Sequence, residues 1–90
     1  MAEHYLVPKS KVTEAGLDMA VAQIRAEYLR ARQTHAPMHS PHEGFAVIYE
    51  EFMVELADHV WHDTGRSQAA YEEATQVAAM ALAYMLEVAS

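Results

Sequence analysis

From Thr13 to the C-terminus the apolar residues return every three or four positions, and turn-forming residues interrupt the pattern in two places only. Residues at that spacing share one face of an α-helix, so the pattern predicts helices and leaves no room for a sheet. Leu17, Val21, Ile24, Tyr28 and Ala31 form the first series, with Asp18, Arg25, Arg30, Arg32 and Gln33 on the other face. A first helix is expected from near Thr13 to Thr34. The segment His35 to Ser40, with Pro37 inside it and Pro41 just after, is a connector.

Ser40-Pro41-His42-Glu43 is a strong start signal. Serine suits the N-cap, proline the first helical position, and glutamate the third, where it can reach back to the cap's own amide. The second helix is expected from Pro41 to about Asp63. Thr64-Gly65 ends it, since glycine tolerates the left-handed conformation. Ser67 caps a third helix running to about Val88, rich in alanine and free of glycine and proline. Residues 1–11, punctuated by Pro8, read as an extended or disordered lead-in. Residues 12–90 then form one all-helical domain, an N-terminal helix followed by a helical hairpin.

Composition narrows the partners. The formal charge is −7, with only six Lys and Arg. That argues against phosphate-backbone binding, which needs a basic footprint, and fits a protein that gathers cations. The chain has no cysteine, so disulfides and thiolate metal sites are excluded. The N-terminus holds no apolar stretch of signal-peptide type, and the longest apolar run, Val77 to Leu86, is too short to span a bilayer.

The chemistry concentrates on the second helix. On a regular α-helix Glu51, Glu55, Asp58 and His62 fall in one narrow arc. Ile48, Phe52 and Leu56 flank it on one side, and Val47, Val54 and Trp61 on the other. Acids running down an apolar surface are costly unless something compensates their charge, and a divalent cation is the simplest compensation. On the third helix Glu73, Gln76, Val77, Met80 and Tyr84 share a face. Antiparallel packing is expected to bring Glu73 opposite Glu51 and Glu55, so that carboxylates and an amide oxygen converge as a shell for Mg²⁺ or Mn²⁺. The second helix is apolar on almost every side, as Met53, Val54, Val60 and Trp61 show. Such a helix needs burial all round, which implies a homo-oligomer, most simply a dimer with a four-helix core built from two hairpins.

Three strings carry a family resemblance: His42-Glu43-Gly44-Phe45-Ala46-Val47-Ile48-Tyr49-Glu50-Glu51, then Glu55-Leu56, then Glu73 through Ala81. Together they resemble the small MazG-like proteins common in phages, which belong to the all-α nucleoside triphosphate pyrophosphohydrolases. The resemblance extends from about Arg30 to the C-terminus. It implies hydrolysis of (d)NTPs to monophosphate and pyrophosphate, and a cytoplasmic setting in an infected bacterial host. The family signature is Glu-x-x-Glu on one helix and Glu-x-x-Asp on the next, all binding Mg²⁺. Carried over, Glu51 and Glu55 stand for the first pair and Glu73 for the second glutamate, while Gln76 stands where the family has aspartate. The first pair here is spaced by four rather than three, so Glu50 is a substitute ligand. Metal ligands are thus expected among Glu51, Glu55, Asp58, Glu73 and Gln76, with Glu51 or Glu55 as general base. Arg25, Arg30, Arg32, Gln33 and His59 are expected to touch substrate. The alternative is a non-catalytic helical nucleotide-binding or assembly protein with a degraded metal site.

Other signals are weaker. His35, His39 and His42 lie in or beside the bent connector, a poor frame for zinc. A di-iron bundle needs Glu-x-x-His on two helices, yet Leu56 stands three before His59 and the third helix has no histidine.

Overall fold

A computed structural model describes residues 13–89. The expected lead-in of residues 1–11 lies outside the described residues. The rest is helical: α1 spans Glu14–Thr34, α2 Pro41–Tyr49, α3 Ala57–His62 and α4 Gln68–Glu87. Between α2 and α3 the chain stays helical but widens to a π-helix over Glu50–Leu56. These three pieces make one continuous rod, so the described chain has three helical rods and no strand. None of them is long and apolar enough to cross a membrane.

The ends fall where the capping chemistry puts them. The Gly16 amide donates to Thr13 Oγ1 at 3.0 Å, the Glu43 amide to Ser40 Oγ at 3.1 Å, and the Ala70 amide to Ser67 Oγ at 3.1 Å. Each bond satisfies an amide that the first turn leaves without an intrahelical acceptor. Glu43 does reach back, but one residue further than a standard capping box. Its Oε1 accepts from the amide of His39 at 2.6 Å, which fastens the connector to the start of α2. Gly65 takes φ +73°, the left-handed turn that separates α3 from α4.

Helix α4 is the axis of the fold. Helix α1 packs on it from one side and the α2–α3 rod from the other, with no close backbone approach between those two. Ala70, Ala79 and Ala83 of α4 are buried, and their small side chains let both neighbours approach. Gly44 allows the second rod to come close to α4. A Cβ there would lie 2.5 Å from Tyr84 Cδ2 and 3.3 Å from Met38 Sδ.

A polar clamp closes the far end. Glu87, its side chain only 9% exposed, forms an ion pair with Arg32. It also accepts from the Tyr28 hydroxyl at 2.8 Å and from the Met38 amide at 2.9 Å. Arg32 in turn donates to the His35 carbonyl at 3.0 Å and lies 5.4 Å from the Tyr28 ring centroid. One carboxylate thereby ties α1, the connector and α4 together.

What this leaves open is as telling as what it closes. Among the described residues the buried apolar core is Met38, Ala70, Ala79 and Ala83, with no large side chain fully buried.

Candidate functional site

The π-helix decides what the second rod presents to α4. In an α-helix each amide bonds four residues back; here the Ala57 amide reaches Phe52, five back. A π turn accommodates one extra residue and turns the chain less per residue. The less exposed positions record the step: Gly44, Val47, Ile48 and Glu51, then Leu56, Ala57 and His59. Leu56 stands five positions after Glu51, where an α-helix would place the next inward residue three or four on.

This register alters the expected arc. Glu51 remains inward and Glu55 lies near it, but Asp58 has rotated out. Asp58 is exposed and its Oδ1 lies 2.9 Å from His62 Nδ1 on the same face, away from α4. His59 takes the inward position instead and acts electrostatically on Glu73. The regular-helix arc of Glu51, Glu55, Asp58 and His62 therefore does not form.

Glu51 on the π-helix and Glu73 on α4 belong to elements that pack together, and the charge of Glu73 acts on Glu51. Each has one carboxylate oxygen, Oε1, buried without a hydrogen-bond partner. Burial holds the Glu51 carboxyl above its usual pKa, and the negative charges of Glu73, Glu55, Glu27 and Glu50 push it the same way. Burial also raises Glu73, with Glu55 and Glu72 adding to the rise and His59 opposing it. Desolvation and like charge thus act together on both acids. Among the described residues, however, no three His, Asp or Glu side chains converge tightly enough to hold a metal ion as they stand.

Beside this pair runs a groove of about 500 Å³, open between α1 and α2 and floored by α4. That volume is in the range of small-molecule sites. Glu51, Gln76, Tyr28, Arg30, Met38 and Met80 contribute to its walls. Arg32 lines it too but is engaged by Glu87. Arg30 is held by Glu27, donating through Nε at 3.1 Å and Nη2 at 2.5 Å. Gln33 is exposed at the end of α1 and lines no groove, and His59 likewise stays out of the groove walls. A second, shallower groove of about 390 Å³ between α1 and the start of α4 shares Glu27, Arg30 and Gln76 with the first. Gln76 therefore sits where the two grooves meet.

Sequence reasoning missed Glu87 and Gly44. Glu87 is an isolated acid near the chain end, and only the packing of α1 shows what it holds. The sole signal at Gly44 was a poor helix former inside a helix. Comparison with protein-family models, with curated proteins and with solved structures gave no match.

Proposed function

We propose that the chain hydrolyses nucleoside or deoxynucleoside triphosphates to monophosphate and pyrophosphate, using Mg²⁺ or Mn²⁺. The observation that carries this reading is the pair Glu51 and Glu73. Two acids from different rods repel one another, and each keeps a buried oxygen with no donor. Orphaned carboxylate oxygens fit a hard cation, which supplies the missing positive charge. Glu51 and Glu73 would hold it, with Glu55 and the amide oxygen of Gln76 as the further oxygen ligands. The four-residue spacing of Glu51 and Glu55 suits the Glu-x-x-Glu role because the π turn takes up the additional residue.

When bound, the cation supplies charge neutralisation of the triphosphate and acidifies a water. The chain's residues account for the rest. The groove takes the nucleotide, with Tyr28, Met38 and Met80 as the apolar wall for base and sugar. Arg30 meets phosphate oxygens by exchanging its bonds to Glu27. Glu51 or Glu55 accepts the proton of the attacking water. The water oxygen bonds to the α-phosphorus while the bond to the bridging oxygen breaks, and that oxygen leaves with pyrophosphate.

The test is a panel of (d)NTPs with Mg²⁺ or Mn²⁺ and a pyrophosphate readout. Release from at least one nucleotide is expected, with loss in Glu51→Gln and Glu73→Gln. No release from any nucleotide with either ion overturns the reading.

Two observations favour a second reading, a non-catalytic helical binding or assembly protein. The described acids are not gathered into a three-ligand group, and Gln76 brings no charge. A binder gains thermal stability from Mg²⁺ plus nucleotide without turnover, and an assembly module gains none.

A further inference from the structure

Arg30 and Arg32 are the arginines that line the grooves beside Glu51, and each is held by a glutamate. The two pairs differ. Arg32 is tied to Glu87 of another helix, inside the clamp that closes the far end of the fold. Arg30 is tied to Glu27, three residues earlier on α1 itself, so that pair joins no two elements. The Arg30 side chain is 57% exposed, while that of Glu27 is only 18% exposed. Both line the wall that the two grooves share. An ordinary surface pair leaves both partners in solvent. Here the carboxylate is the covered member. Its charge also acts on Glu51, although α1 and the second rod make no close backbone contact. Glu27 therefore belongs to the interior of the site, and Arg30 is drawn over it.

We infer that Glu27 is a built-in stand-in for a phosphate group, which keeps Arg30 occupied until an anionic ligand displaces it. The geometry of the pair carries this. Arg30 donates through Nε to Oε1 at 3.1 Å and through Nη2 to Oε2 at 2.5 Å. One edge of the guanidinium fork thus meets two oxygens, which is how the same edge takes a phosphate. Carboxylate and phosphate cannot use that edge together. The binding-competent chain is the one whose Arg30 is free, and its fraction scales the affinity for any anion that needs Arg30. The other walls make that need strong. Glu43, Glu51, Glu72 and Glu87 line the same grooves, and Arg32 is engaged, so an anion finds little other positive charge there. Gln76, on the shared wall, offers an amide without charge. The pair lies within one helix and Arg30 is exposed, so opening it leaves the fold intact. The inference rests on the reading of the groove as a phosphate site and adds the residue that sets how tightly phosphates are held. Glu27 is a positioning residue, since it touches Arg30 and not the substrate.

The probe is inorganic tripolyphosphate, titrated calorimetrically into the full chain in buffer free of divalent cations. Glu27→Gln is expected to tighten its binding about fivefold, and the gain is expected to vanish when Arg30→Gln is added. Glu72→Gln removes the same charge from the second groove without freeing Arg30, and is expected to change the affinity by less than about twofold. An equal gain from Glu72→Gln, or a gain that survives Arg30→Gln, reduces Glu27 to background charge and overturns the inference. So does tripolyphosphate that binds none of these chains. A measurement on the unmutated chain needs no variant to fold: the side-chain carboxyl carbon of Glu27, followed by ¹³C NMR, is expected to shift as tripolyphosphate binds. A resonance that stays still while the ligand binds overturns the inference as well. The nucleotide panel separates this from the hydrolase reading. Tripolyphosphate held as described, with no nucleotide hydrolysed, removes the hydrolase and keeps the role of Glu27. Nucleotide hydrolysis whose KM is unmoved by Glu27→Gln does the reverse.

Discussion

The hydroxyl of Tyr28 donates to Glu87 at 2.8 Å, joining α1 to the end of α4 across 59 positions of sequence. The same carboxylate holds Arg32 and the Met38 amide. Glu87→Ala leaves a part-buried guanidinium and two donors without their acceptor. It is expected to destabilise the protein by about 2–3 kcal/mol. Glu87→Gln keeps one oxygen acceptor and loses less. Urea denaturation followed by circular dichroism measures both, and equal losses would contradict a role for the retained acceptor, leaving the charge alone to account for the clamp.

Gly44 sits against Tyr84 with no space for a methyl group. Gly44→Ala improves local helix propensity, yet it forces the Tyr84 ring or the whole rod outward. A net loss of about 1–3 kcal/mol is expected. Tyr84→Leu in the same chain relieves the clash, so a double-mutant cycle is expected to show coupling between the two positions. Additive effects would contradict the contact.

Glu51 and Glu73 both carry pKa values above the usual glutamate range. The folded state then binds these protons more readily than the unfolded chain. Their contribution to stability is fully present below the unfolded pKa and is lost as pH rises through the raised folded values. Without divalent cations, melting temperature is therefore expected to rise on acidification from neutral pH toward the ordinary glutamate range. Glu51→Gln is expected to raise the melting temperature at pH 7 by a few degrees and to flatten this dependence. Thermal scans across pH check it, and a variant less stable than the parent at pH 7 would remove the physical basis for a strained acid pair.

The π-helix makes a topological prediction. Deleting Met53 removes one residue from Glu50–Leu56 and lets the stretch become α-helical. Everything downstream keeps its phase, with His59 still toward α4 and Asp58 still outward. Stability is expected to stay within about 1 kcal/mol of the parent. Deleting Ala78 from α4 instead rotates the residues on one side of the gap relative to the other by about 100°, taking Ala79 and Ala83 out of phase with Ala70. Loss of cooperative unfolding is expected there, and circular dichroism melts distinguish the two deletions.

The helices themselves were legible because their signals are local. Thr13, Ser40 and Ser67 cap by bonding amides three residues on, and Pro41 and Gly65 act through their own dihedral limits. None of this depends on what the helix packs against. The influence of Glu73 on Glu51 follows from the same local signals, since a short turn between two amphipathic rods leaves little choice of partner face. Whether Asp58 or His59 joins them does not. A regular 100° rotation puts Asp58 inward, and only the widened turn, stabilised by contact with α4, reverses the order.

The sequence by itself determined where the chain is helical and where it bends, because capping, proline and glycine act within four residues. Only the tertiary structure decided the phase of the second rod and the clamp at Glu87. Those depend on side chains tens of residues apart competing for the same surface of α4, and no local spacing encodes the winner.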